Sequence, residues 1–126
     1  MKKIIFTDKA PTPIGPYSQA VLAGNMLYVS GQVPINPATG ELMMNSIEDQ
    51  TQQVMQNLQA VLAAADMTFD NVIKSSIFIT DMNDFSKING VYGTYFAEGN
   101  APARETVQVS ALPRNVNVEI SVIAIR

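Results

Sequence analysis

Neither cysteine nor histidine occurs among the 126 residues, and tryptophan is absent as well. Those absences exclude disulfides, thiolate nucleophiles, zinc sites of the usual ligand set, and every Ser-His or Cys-His catalytic arrangement. Any chemistry must therefore use arginine, lysine, carboxylates, hydroxyls, backbone groups or bound water. A basic excess is missing too: 8 Lys and Arg stand against 11 Asp and Glu, the net charge is -3 and the pI is about 4.7. A protein that tracks phosphates shows the opposite balance, so nucleic acid is disfavoured as a partner. Long apolar runs are lacking. The opening Lys2-Lys3-Ile4-Ile5-Phe6 imitates the basic start of a signal peptide but breaks at Thr7-Asp8-Lys9, and nothing approaches the roughly 20 apolar residues of a membrane span. A cytoplasmic protein without a membrane partner is the default expectation. No GxGxxG or GxxxxGK[ST] loop occurs, nucleotide cofactors have no support, and no cofactor or metal is expected.

Charge is scarce in general, at 15% of residues against 47% hydrophobic. That apolar content is enough to offset the entropy of ordering the chain. A small monomer normally covers its exterior with more charge, so part of the surface is expected to be an oligomer interface. One domain over residues 1–126 is the economical organisation, with no repeat or linker to divide it. The seven methionines read as core filler.

Residues 11–16, PTPIGP, set an irregular extended segment that delivers Tyr17 to the first strand pattern. Ser18 to Ala23 and Met26 to Val33 read as a hairpin around Gly24-Asn25, and residues 34–40 read as a loop. Ser46, with Asp49 three residues on, predicts a helix start. Ile47, Val54, Leu58, Val61, Leu62 and Ala65 continue it as an apolar stripe ending near Asp66. Val72 to Thr80 reads as a strand. A second helix should follow Asp81, Asn83 and Asp84, carry Phe85, Ile88, Val91, Tyr92, Tyr95 and Phe96 on its apolar side, and end at Glu98-Gly99-Asn100. Thr106 to Val109 and Asn117 to Ile125 complete the set. Two helices and about six strands pack most simply as an α+β fold, a mixed sheet with both helices on one face.

The last strand exposes the consequence of that packing. Val118, Ile120, Val122 and Ala124 form one row suited to the helix-covered core, while Asn117, Glu119, Ser121, Ile123 and Ile125 form the other. The second row suits a face buried against another subunit, with a polar pocket at its margin and the site between chains. Alternation likewise sends Arg104, Thr106 and Gln108 to one face of their strand. If Glu119 shares that face, a cation, a hydroxyl and a carboxylate converge; an ion pair of Arg104 with Glu119 or Glu105 fits the spacing equally well. Tyr17 suits packing or a pocket, Ser30-Gly31 a bulge or a close ligand approach, and Asn89-Gly90, poor helix formers inside a helix, either close packing or a functional contact.

Six ordered segments carry a resemblance over nearly the whole chain. Ile14-Gly15-Pro16-Tyr17, Ser30-Gly31-Gln32-Val33-Pro34, Asn36-Pro37-x-Thr39-Gly40, Asp81-x-Asn83-Asp84-Phe85, Pro102-Ala103-Arg104 and Val118-Glu119-Ile120 resemble the RidA (YjgF) family. The resemblance implies a chorismate-mutase-like homotrimer with sites at its subunit interfaces. It implies hydrolysis of the enamine or imine acids that pyridoxal-phosphate dehydratases release, giving 2-oxo acids and ammonia. On that reading Arg104 binds the substrate carboxylate and Glu119 holds the attacking water. Tyr17, Ser30, Gly31 and Asn89 line the pocket, and the backbone of Thr106 helps to position the substrate. Two positions depart from the family pattern: Thr106 stands where many members have cysteine, which removes thiol-dependent behaviour, and Glu105 stands where a small residue is frequent. A non-catalytic binder of 2-oxo acids is the alternative. A ribonuclease or translation inhibitor is a third reading, against which acidic charge and the missing histidine weigh.

Overall fold

The computed structural model describes all 126 residues. Six strands form one sheet: β1 (Lys2–Ile5), β2 (Ala20–Ala23), β3 (Met26–Gln32), β4 (Val72–Ile79), β5 (Ala103–Gln108) and β6 (Val118–Ile125). Their order across the sheet is β1-β2-β3-β6-β4-β5, with every neighbouring pair antiparallel except β4 and β5. The sheet is therefore mixed, as expected. β1 is the strand that sequence pattern missed. Four residues beginning with two lysines show no alternation to read, and the strand exists because Lys2 to Ile5 pair along β2.

Helix α1 (Ile47–Ala64) begins where the pattern placed it, with Ser46 Oγ accepting a 3.0 Å hydrogen bond from the Asp49 amide. Glu48 and Asp49 put negative charge in its first turn, where the helix dipole favours it. Its stripe of Val54, Leu58, Val61 and Leu62 is wholly buried against the sheet row Leu27, Val29, Ile77, Ile79, Val118, Ile120 and Val122. Helix α2 (Phe85–Tyr92) is shorter than expected, because residues Gly93–Tyr95 tighten into a 3₁₀ turn. Asn89, Gly90, Gly93 and Thr94 are poor helix formers, and an aromatic cluster takes over where the helix stops. In that cluster Phe69 lies 5.2 Å from Tyr95 and 5.4 Å from Phe96, and Tyr92 lies 4.8 Å from Phe96.

Three buried amides tie loops to this core. Gln19 accepts from the Thr7 amide and donates to the carbonyls of Thr7, Ala10 and Pro11, bracing the proline-rich segment. Asn57 donates to the carbonyls of Val33 and Ile35 and fixes the loop after β3. Gln50 exchanges hydrogen bonds with the side chain and amide of Asn117, anchoring the chain just before β6. The face of the sheet away from the helices carries Tyr28, Phe78, Val107, Ile123 and Ile125, all exposed or half-buried.

Candidate active site

A β-bulge builds the first half of the site. Between β3 and β6, Val29 pairs with Val122 and Gln32 with Ile120, so three steps on one strand match two on the other. The additional residue lies at Ser30-Gly31, bending the strand and opening its backbone toward Glu119. Gly31 leaves there the space that the Glu119 carboxyl occupies. A Cβ at this position would sit 2.7 Å from Glu119 Cδ and Oε2 and 2.9 Å from Cγ, well inside any real contact. The missing side chain lets the carboxyl lie across the β3 backbone.

That carboxyl is half-buried, makes no ion pair, and has its pKa raised above the ordinary carboxylate value by burial alone. It opens into a cleft of about 640 Å³ shared with Tyr17, Ser30, Gly31, Gln32, Arg114 and the apolar residues Ile14, Val33 and Ile35. Tyr17 is exposed at the mouth and placed by a tight turn in which its amide donates to the Gly15 carbonyl at 2.8 Å. Ser30 spends its hydroxyl on the Ser18 carbonyl at 2.6 Å, joining the Tyr17 segment to the bulge. Arg114 enters the cleft from the turn before β6, where it and Asn115 adopt left-handed backbone conformations with φ of 58° and 57°.

Arg104 belongs to a second cluster, on the other face of the sheet. On β5, Arg104, Thr106 and Gln108 pair with Ser75, Ile77 and Ile79, the helix-covered row of β4, whereas Glu119 pairs with Phe78 on the opposite row. The convergence of Arg104 and Glu119 on one face of a single chain is therefore corrected, and so is their ion pair. Arg104 Nη1 donates to Asn89 Oδ1 at 2.7 Å, and its guanidinium carbon lies 5.1 Å from the Tyr92 ring centroid and 5.7 Å from that of Phe85. Tyr92 is itself pinned by donating to Ser75 Oγ at 2.9 Å in the core. Asn89 thus has a specific contact. Gly90 has none: an added Cβ would meet nothing within 4 Å, so close helix packing does not explain it.

Thr106, two residues beyond Arg104 on the same row, holds a buried hydroxyl oxygen without a hydrogen-bond partner, the only such side-chain atom in the molecule. Glu105 turns the other way. It accepts a hydrogen bond from Ser76 and forms a 2.9 Å ion pair with Lys74 on the open face, and those two partners, Ser76 first, lower its pKa. Its charge does not face Arg104.

The sequence model of the Endoribonuclease L-PSP family matches residues 7–126. The chain belongs to the RidA (YjgF) family. Among its RidA relatives, a RutC family protein of Pyrococcus horikoshii is 53% identical over 124 residues, 98% of each chain. The 2-iminobutanoate/2-iminopropanoate deaminase of Mus musculus is 45% identical over 126 residues, all of this chain and 93% of the mouse protein. The crystal structure of E. coli TdcF with bound serine superimposes with a TM-score of 0.93 at 45% identity, covering 98% of both chains.

Against the RidA motifs, the structure brings Tyr17, Ser30, Gly31 and Glu119 together in one cleft and Asn89, Arg104 and Thr106 in another cluster. Sequence reasoning passed over Arg114, Gln19 and Tyr92 as contributors. Arg114 sat in a turn, Gln19 among strand residues, and Tyr92 in an apolar stripe; none of those settings marks a polar contact in advance.

Proposed function

We propose that the protein hydrolyses reactive 2-enamine and 2-imine acids such as 2-iminobutanoate and 2-iminopropanoate, giving 2-oxo acids and ammonia. Glu119 carries this reading: a half-buried, unpaired carboxyl folded over Gly31 at the wall of a cleft, with its pKa raised by burial in the direction a proton-exchanging group needs. The deaminase name of the mouse relative supports the same chemistry.

In the chorismate-mutase-like homotrimer of this proposal, the open sheet faces meet, and Arg104 of one copy completes the cleft of the next. The apolar residues of that face and the separation of the two clusters within one chain support such an arrangement. The guanidinium, steadied by Asn89, Tyr92 and Phe85, clamps the substrate carboxylate with charge-assisted hydrogen bonds. A protonated imine is already a strong electrophile, so addition of water calls for neither a metal nor a covalent nucleophile. The ionised Glu119 takes a proton as the water oxygen bonds to the C=N carbon, giving an amino alcohol. The carboxyl then returns its proton to the amine, the C–N bond breaks as the C=O bond forms, and the remaining hydroxyl proton leaves with ammonia as ammonium.

Adding the protein to a threonine dehydratase reaction should speed ammonia release, with Arg104→Gln and Glu119→Gln each removing the effect. An unchanged rate with the Arg104 variant would sink the carboxylate clamp.

A further inference from the structure

We infer that Arg114 is a second anion-binding residue of the cleft, fitting it to 2-imino and 2-oxo acids whose side chain ends in a further carboxylate. The inference builds on the imine hydrolase reading and names a substrate class for it. Three observations carry it. Arg114 is the only cation among the residues that line the cleft, and Glu119 the only carboxylate. Its guanidinium is also uncommitted: Arg104 is bonded to Asn89 and Arg126 to the Ala65 carbonyl, while Arg114 has neither an internal hydrogen bond nor an ion pair. Nor does it serve to neutralise Glu119, whose pKa is raised by burial with no opposing contribution from a nearby cation.

The backbone is arranged to bring the side chain to this position. After Pro113, Arg114 and Asn115 both adopt left-handed conformations, uncommon for non-glycine residues, and form the centre of a tight turn in which the Val116 amide donates to the Pro113 carbonyl at 3.4 Å. The turn is closed by the Asn115 amide donating to the Leu112 carbonyl at 3.0 Å, and Asn117 is anchored beyond it by Gln50 and Thr80. A second substrate carboxylate in this cleft would meet Glu119 as a like charge unless a cation stood near. Arg114 supplies that cation from the chain that supplies Glu119, leaving the α-carboxylate to Arg104.

Titration calorimetry on the intact assembly tests this with 2-oxoglutarate and 2-oxobutanoate, stable products that differ by the distal carboxylate. Arg114→Gln should weaken 2-oxoglutarate about tenfold or more, the size of one charge-assisted hydrogen bond, and 2-oxobutanoate far less. Arg114→Lys should retain most of the selectivity, and Arg104→Gln should weaken both acids. Equal weakening of the two acids by Arg114→Gln, no loss for 2-oxoglutarate, or no binding of 2-oxoglutarate to the unaltered protein would each overturn the assignment. Selective binding without any acceleration of imine loss would instead defeat the hydrolase reading and leave the anion site standing.

Discussion

A methyl group on Gly31 would occupy the space that the Glu119 carboxyl now fills. The carboxyl is the end of a flexible side chain, so it would swing aside before the β3 backbone moved. Gly31→Ala should therefore fold, with a melting temperature close to the parent, and lose the proposed imine hydrolysis by about a hundredfold, the order expected when the proposed catalytic carboxyl is misplaced. A large loss of stability instead would show that the glycine serves the bulge and not the carboxyl. Glu119 makes its own prediction at the same scale. Burial raises its folded-state pKa above the ordinary 4.5, so the ionised form that the proposed general-base role needs appears only as pH rises through that higher value. The acid limb of kcat/KM should lie above the range of a solvated glutamate. The linkage to stability has a definite sign: the protonated carboxyl suits the fold, and that benefit, complete below the unfolded pKa, is lost as pH rises through the folded one. Glu119→Gln should melt higher than the parent near neutral pH, with the difference closing in acid; an unchanged gap across the titration would refute the burial account.

At the scale of elements, the proline-rich segment that presents Tyr17 is braced by one buried amide. Gln19 is 1% exposed and satisfies a backbone amide and three carbonyls with a single side chain. Gln19→Leu keeps the volume and strands those groups, at a cost of about 1–3 kcal/mol for each one left buried and unpaired. Denaturant melts should show that loss, and KM should rise as Tyr17 loses its placement. A leucine variant as stable as the parent would mean that water reaches these groups and the amide is dispensable. The bulge at Ser30-Gly31 and the left-handed pair Arg114-Asn115 are element-scale devices of the same kind, each turning the chain to aim a group into the cleft.

For the whole molecule, the placement of Arg104 and Glu119 on opposite faces has a direct consequence. If neighbouring copies contribute one each, two inactive variants should rescue one another. Mixed assemblies refolded from equal amounts of Arg104→Ala and Glu119→Gln should recover about a quarter of parental activity, the chance that an intact arginine meets an intact glutamate in a closed ring. No recovery in assemblies shown to be mixed would place both groups in one chain's site. The exposed apolar face, with Tyr28, Val107 and Ile125, is the surface those copies are proposed to share.

Much of this was determined by sequence alone. Ser46 and its apolar stripe specified α1, β-branched runs specified β4 and β6, and parity along β6 separated the core row from the row that holds Glu119. Such features depend on residues a few positions apart, where periodicity and capping act. Tertiary structure decided the rest. Strand parity says that Arg104 and Thr106 share a face but not which one; the parallel pairing of β5 with β4 chose the helix side and set the arginine against Asn89, Phe85 and Tyr92. The same packing turned Glu105 toward Lys74, made a strand of Lys2 to Ile5, and laid the Glu119 carboxyl over Gly31. Each of these contacts joins residues distant in sequence, so its geometry exists only once the sheet has been assembled.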